Sequence, residues 1–259
     1  MPDVTGYTHG QPSWTDLSTT DVDAAKSFYA ALFGWSYEDN EMGEGMVYSM
    51  AQLDGKPAGA IFAQQAEQAQ QGIPPMWNTY VTVDDADATA AKVTEAGGQV
   101  IAGPFDAFDF GRMTLAMDPT GAVIAFWQAK QHIGAHVVAE PGAITWFELM
   151  TRDTAAAAQF YADVLGWHAH EADEGYTMFH VSEDELAGGM MQMDESMAEV
   201  PPHWMVYFAV SDCDGTVAKA KELGGSAIVE PTDIPPGRFA VVQDPQGAAF
   251  AVIQVREQA

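Results

Sequence analysis

The chain repeats itself. The segment SWTDLSTTDVDAAKSFYAALFGW (Ser13–Trp35) returns 132 residues later as TWFELMTRDTAAAAQFYADVLGW (Thr145–Trp167). WNTYVTVDDADATAAKVTEAGG (Trp77–Gly98) returns as WMVYFAVSDCDGTVAKAKELGG (Trp204–Gly225). GRMTLAMDPTGAVIAFW (Gly111–Trp127) returns as GRFAVVQDPQGAAFAVI (Gly237–Ile253). The offset drifts only from 132 to 126 residues along the chain, so the copies differ by a few short loops. So long a period denotes a duplicated domain rather than a solenoid of short units. With 259 residues there is room for two ordinary domains. They are expected at 10–129 and 143–256. A linker over 130–142, KQHIGAHVVAEPG, lies where the match lapses and Pro141-Gly142 precedes the next strand.

Each copy carries the same local signals. Trp14–Ser18 alternates like a strand. Asp21 offers a helix N-cap, Ala24, Ala25, Phe28, Leu32 and Phe33 have helical spacing, and Gly34 ends the run. Strands follow near Met46–Ala51, Gly59–Phe62 and Thr79–Val83, with a helix over about Asp87–Ala96. Two more strands flank the turn Asp118-Pro119-Thr120-Gly121. The plan reads β-α-β-β-β, twice per domain.

A strand followed by DVDAAKSFYAALFGW, this module twice per domain, and a closing GR…DPTG resemble the vicinal oxygen chelate superfamily, which includes glyoxalase I, extradiol dioxygenases and bleomycin-resistance proteins. The tandem arrangement, with a Trp two residues before an acid, is similar to the actinobacterial glyoxalase/hydroxylase-like branch. The resemblance covers nearly the whole chain. It implies an α+β fold of tandem glyoxalase/bleomycin-resistance-like domains, each a cupped mixed sheet. It also implies where metal-dependent members place their ligands, on the first, fifth and eighth strands. Those positions carry Trp14, Asn78 and Ala125 in the first copy and Trp146, Met205 and Ala251 in the second. Trp, Met and Ala cannot complete an oxygen/nitrogen coordination shell. The expectation is therefore no metal site and no cofactor.

Charge narrows the partners. There are 37 Asp and Glu against 10 Lys and Arg, a formal net charge of −27. Such a surface repels phosphate backbones and anionic headgroups, so nucleic acid and membrane are not expected partners. The acidity also reads as a plain solubility or salt adaptation. A single cysteine, Cys213 between Asp212 and Asp214, excludes an intramolecular disulfide and disfavours a thiolate. The start MPDVTGYTHG lacks the basic and apolar regions of a secretory signal, and no apolar run spans a bilayer, so a cytoplasmic protein is expected, monomer or homodimer.

The pleat predicts a concave face of Trp14, Asp16, Asn78, Tyr80, Val123, Ala125 and Trp127 in one copy. In the other it predicts Trp146, Glu148, Met205, Tyr207, Ala249, Ala251 and Ile253. Each is an aromatic-lined cup with one acid, suited to a small apolar or cationic organic molecule. Asp16 and Glu148 are the candidate acid/base groups, or anchors for an amine, or structural acids satisfied from the backbone or by an arginine. Tyr48 joins the wall, with Met178 as its expected counterpart. Arg112 and Arg238 are an anion clamp at the mouth or structural partners of an acid. Methionines from Met46 to Met193 cluster near the third and fourth strands as core or as an adaptable wall. His168, His170 and His180 share a strand face but lack counterparts in the first copy; His9, His132, His136 and His203 read as solvated or loop residues. Two functions remain open. One is metal-independent binding in resistance, sequestration or biosynthesis. The other is a glyoxalase-like lyase/isomerase or hydroxylase-type enzyme using Asp16 or Glu148.

Overall fold

A computed structural model describes residues 3–43, 45–173 and 175–256. The first half runs β1 (Pro12–Thr19), α1 (Val22–Phe33), β2 (Ser36–Glu41), β3 (Val47–Leu53), β4 (Lys56–Ala63), a short α2 (Ala66–Gln70), β5 (Met76–Thr82), α3 (Ala86–Glu95), β6 (Gln99–Ala107), β7 (Gly111–Met117) and β8 (Val123–Ala129). The second runs β9 (Ile144–Thr151), α4 (Thr154–Leu165), β10 (His168–Asp173), β11 (Tyr176–Ser182), β12 (Glu185–Gln192), a 3-10 turn at Glu195–Met197, β13 (His203–Ala209), α5 (Cys213–Glu222), β14 (Ser226–Ile234), β15 (Gly237–Gln243) and β16 (Ala249–Val255). Each half builds its own eight-stranded sheet, ordered β2-β3-β4-β1-β5-β8-β7-β6 and β10-β11-β12-β9-β13-β16-β15-β14. In the first sheet β1 pairs parallel with β4 and antiparallel with β5, and β5 pairs parallel with β8. The strands are not exchanged between halves. Neither α2 nor the 3-10 turn is anticipated by the repeat, and His203 opens β13 rather than lying in a loop.

The shared motifs hold the two halves together. Asp21 caps α1 by accepting from Ala24 N at 3.0 Å, and Gly34 ends it at φ +76°, where a side chain is strained. The buried face of α1 carries Phe28, Tyr29 and Phe33 between its own sheet and the other half. Phe33 meets Phe208 at 4.9 Å between ring centroids, and Tyr29 meets Phe250 at 5.4 Å. In the Asp-Pro turns, one carboxylate oxygen of Asp118 accepts the backbone N–H groups of Thr120, Gly121 and Ala122 at 2.8–3.1 Å. Its other oxygen accepts the Tyr161 hydroxyl of the opposite half at 2.9 Å. Asp244 closes its own turn in the same way and accepts Tyr29 at 3.0 Å. Trp77 and Trp204 donate their indoles to those same tyrosine oxygens at 3.0 and 2.8 Å. Buried polar groups are costly unless paired, and here every hydroxyl and both carboxylates are. One apolar core therefore runs through both halves.

Residues 130–142 are not a loose tether. Ala135 N donates to Ser13 O and His136 N to Pro57 O, both at 2.8 Å, and Tyr7 donates to Ala135 O at 2.7 Å. This fastens the connector across the first sheet.

Candidate functional site

Alternation on β1, β5 and β8 turns Leu17 into the helix-side core and Trp14 and Asp16 onto the opposite, concave face. Register places Asp16 opposite Asn78, Trp14 opposite Tyr80, and Tyr80 opposite Ala125. The Asp16 carboxylate accepts Asn78 Nδ2 at 2.8 Å, Tyr80 Oη at 2.7 Å and Tyr48 Oη at 3.0 Å. Trp14 Nε1 donates to Tyr48 Oη at 2.9 Å, which completes a Trp–Tyr–Asp–Tyr chain. Asp16 is only 2% exposed. Burial raises its carboxyl to about 6, and the three hydrogen bonds offset part of that rise.

The second cup repeats this arrangement with different chemistry. Tyr207 Oη donates to Glu148 Oε2 at 2.8 Å, Tyr176 also hydrogen-bonds Glu148, and Trp146 Nε1 donates to Tyr176 Oη at 3.1 Å. Met205 faces Glu148 where Asn78 faces Asp16, so Glu148 lacks the amide donor. Burial raises the Glu148 carboxyl above the ordinary range. Met205, Tyr207, Ala251 and Ile253 form the floor, and Trp146, Ile234 and Phe239 form half-buried walls.

Tyr176, not Met178, is the counterpart of Tyr48. Asn40 pairs with Tyr48 across the first hairpin, but the second hairpin turns four residues sooner, so the 132-residue offset fails at this point. The shortened turn between Asp173 and Tyr176 is the signal that could have found it. His132 was also missed. It is not solvated: its ring lies 4.5 Å from Trp14 and 6.0 Å from Trp127, its carbonyl accepts Trp127 Nε1 at 2.8 Å, and its Nε2 is buried without a protein partner. Burial lowers its pKa to about 4, so the ring is neutral at pH 7. The connector thus roofs the first cup, and Trp14 and Trp127 are buried beneath it. Trp146, the counterpart of Trp14 in the second cup, is only partly buried, while Tyr176 and Phe239 are partly buried like their counterparts Tyr48 and Met113.

Arg112 and Arg238 lie outside both cups, each paired with an acid of a helix. Arg112 grips Asp87 of α3 with Nε at 2.6 Å and Nη2 at 2.9 Å, and Arg238 grips Asp214 of α5 with the same distances. Strand alternation sends both toward the helices, beside Gln128 and Gln254, and away from Trp127 and Ile253. Cys213 is buried and its thiol is pushed up to about 11, chiefly by burial and then by Asp214. His168 pairs with His180, and the rings of His170 and His180 are 5.1 Å apart. Among the described residues, no group of three or more His, Cys, Asp or Glu could hold a metal.

Sheet order, paired modules and aromatic cups define the class. The chain belongs to the Glyoxalase/Bleomycin resistance protein/Dioxygenase superfamily, whose family model matches residues 11–126 and again 143–252. It is 48% identical over 264 residues, covering all of both chains, to CFP32 of Mycobacterium tuberculosis (strain CDC 1551 / Oshkosh), which carries a glyoxylase name. It is 39% identical to the anthracycline biosynthesis protein DnrV of Streptomyces peucetius, covering 98% of this chain and 96% of DnrV. Among solved structures, the Mn(II)-bound glyoxalase from Novosphingobium aromaticivorans superposes with a TM-score of 0.66 at 16% identity, over 95% of this chain and 82% of that one. The 2,3-dioxygenase LapB from Pseudomonas sp. KL28 gives 0.63 at 14%, over 96% and 93%. At such identities the structures share the fold.

The donor set does not fit the metal that the fold suggests. Trp14, Asn78 and Ala125 face the first cup, and Trp146, Met205 and Ala251 stand in the equivalent places of the second. Each cup holds one carboxylate, already engaged by tyrosine hydroxyls, where a divalent ion needs several oxygen or nitrogen donors.

Proposed function

We propose that the second cup binds a small, flat, largely apolar organic molecule without a metal, in a sequestration, resistance or biosynthetic accessory role. One observation carries this reading: Glu148 sits at the floor of an aromatic cup whose walls Trp146, Tyr176 and Phe239 keep a solvent-facing side. The walls supply stacking area, and the floor supplies one orienting polar group. Because its pKa is raised, Glu148 holds a proton to higher pH than an exposed glutamate and can donate it to a ligand carbonyl. The name of DnrV supports the same ligand shape, since anthracyclines are flat and polycyclic. Asp16, Trp14, Asn78, Tyr80 and Trp127 form the equivalent cup beneath the connector, which makes the first half the structural member of the pair.

Native mass spectrometry on protein purified without chelator or added metal tests the metal-free part. Calorimetry with 1,4-dihydroxyanthraquinone tests the site. The expected result is a metal-free chain and binding that EDTA does not change, that Trp146→Ala abolishes and that Asp16→Asn leaves intact. One bound divalent ion per domain, or binding indifferent to Trp146→Ala, overturns the reading.

A second reading has its own support in the glyoxylase name of CFP32 and the proton-holding floor acid. In it, Glu148 acts as a general acid/base in a lyase or isomerase. Turnover lost in Glu148→Gln with ligand affinity unchanged favours the enzyme; affinity lost in the same variant favours the binder.

A further inference from the structure

A different place in the first half carries unexplained chemistry. The turn between β6 and β7 presents Phe108, 58% exposed, and Phe110, 39% exposed. Two exposed phenyl rings in one turn are unusual on so charged a surface. Phe108 has φ +51°, a left-handed conformation that a side chain other than glycine rarely holds. The turn closes through Phe110 N to Ala107 O at 3.1 Å. The matching turn of the second half reads Ile234-Pro235-Pro236-Gly237 and has no aromatic ring.

This turn faces the tip of the β2–β3 hairpin. Asn40–Met42, Phe108–Phe110 and Gln131 line an open cavity of about 250 Å³. The connector is tied to its wall: Lys130 N and His132 N both donate to Phe110 O at 3.0 Å, and Gln131 N donates to Asp109 O at 3.2 Å. The lining combines two rings and a thioether with the carboxylates of Glu41 and Asp109. Asp106 nearby is neutralised by Lys130 at 2.9 Å and Arg112 at 3.5 Å. Glu41 and Asp109 have no ion-pair partner among the described residues, and no Lys or Arg lines the cavity. The volume lies below the drug-sized range of roughly 300–1,000 Å³, so a compact ring system fits rather than a large one. A cation is drawn both to aromatic faces and to unpaired carboxylates, and the net charge of −27 enriches cations around the whole molecule.

We propose that this cavity is a binding site for a small planar aromatic cation, its rings between Phe108 and Phe110 and its charge answered by Glu41 and Asp109. The site is separate from the second cup and does not depend on what that cup binds.

The test is fluorescence titration of the full chain with proflavine, a planar cation, and with anthracene-2-sulfonate, an anion of similar shape. Proflavine should bind and the sulfonate should not. Phe108→Ala should weaken proflavine roughly fivefold. Asp109→Asn combined with Glu41→Gln should weaken it about tenfold and flatten its salt dependence. All three side chains are exposed, so these variants should keep the thermal midpoint of the parent. Glu148→Gln, in the other cup, should leave proflavine affinity unchanged. The proposal is overturned if proflavine does not bind, if the sulfonate binds equally well, or if the three substitutions leave proflavine affinity intact. It is overturned equally if Glu148→Gln abolishes binding, since that places the dye in the second cup.

Discussion

Replacing Asp16 with asparagine should stabilise the protein at neutral pH. The Asp16 carboxyl is raised from 3.8 to about 6, first by burial, against the opposing hydrogen bonds of Asn78, Tyr80 and Tyr48. The unfolded chain therefore releases this proton near pH 4, and the folded chain holds it until about pH 6. Between those values the folded state binds more protons than the unfolded state, so stability falls as pH rises. The loss accrues at about 1.4 kcal/mol per pH unit and levels off above about pH 6, at about 3 kcal/mol in total. An asparagine can offer Oδ1 to both tyrosine hydroxyls, while Asn78 turns its own amide to accept from the new Nδ2. Pairing is kept and the buried charge is gone. Asp16→Asn should gain about 1–3 kcal/mol at pH 7.5 and little near pH 4. Urea unfolding followed by tryptophan fluorescence from pH 4.5 to 8, with m unchanged, measures the difference directly. Comparing variant with parent removes the shared contributions of Glu148 and Asp244, whose pKa values are also raised. A variant less stable than the parent at pH 7.5, or a difference that does not grow with pH, would refute the argument.

Other substitutions probe the remaining contacts. Tyr161→Phe leaves Asp118 Oδ2 and the Trp204 indole without a partner at a buried site, and should cost about 1–3 kcal/mol in urea unfolding. Tyr29→Phe should match it within about 1 kcal/mol, because Asp244 and Trp77 stand in the same relation. Gly134→Ala puts a side chain against the Ser13 backbone at φ +120°. It should lift the connector and make Trp14 and Trp127 newly accessible to acrylamide quenching; unchanged quenching would show that the roof tolerates it. Arg238→Ala should leave binding of the anthraquinone in the second cup unchanged and barely move the urea midpoint, as solvent-exposed ion pairs do.

Much of the fold is legible in the sequence because its signals are local and occur twice. Asp21 with Gly34 and Asp153 with Gly166 bound their helices by capping, which needs no tertiary information. Strand alternation likewise places Trp14 and Asp16 on one face and Leu17 on the other. The part that stays hidden depends on contacts between distant segments. Nothing local in FY or in DPTG says that Tyr29 will reach Asp244 across the molecule. Arg112 follows a glycine at the start of β7, and only the position of α3 decides that it meets Asp87 instead of a ligand. His132 lies where the repeat lapses, so comparing the copies could say nothing about it, and its burial follows from the path of the connector. Tyr176 was obscured for a simpler reason: the β10–β11 turn is shorter than its counterpart, and a fixed offset slides past the true match.

The crossed contacts between Tyr29 and Asp244 and between Tyr161 and Asp118 are equivalent. One oxygen of each aspartate closes the turn of its own half, and the other accepts the tyrosine of the opposite half. Two copies of a single half could therefore make both contacts at once, Tyr29 of each reaching Asp118 of its neighbour, as a two-fold dimer does. Joining such halves in one chain releases them from identity. In a homodimer any residue that roofs one cup roofs the other, and any aromatic turn appears twice. Here the covalent joint itself lies over one cup and not over its twin, an asymmetry that a dimer of identical halves could not have.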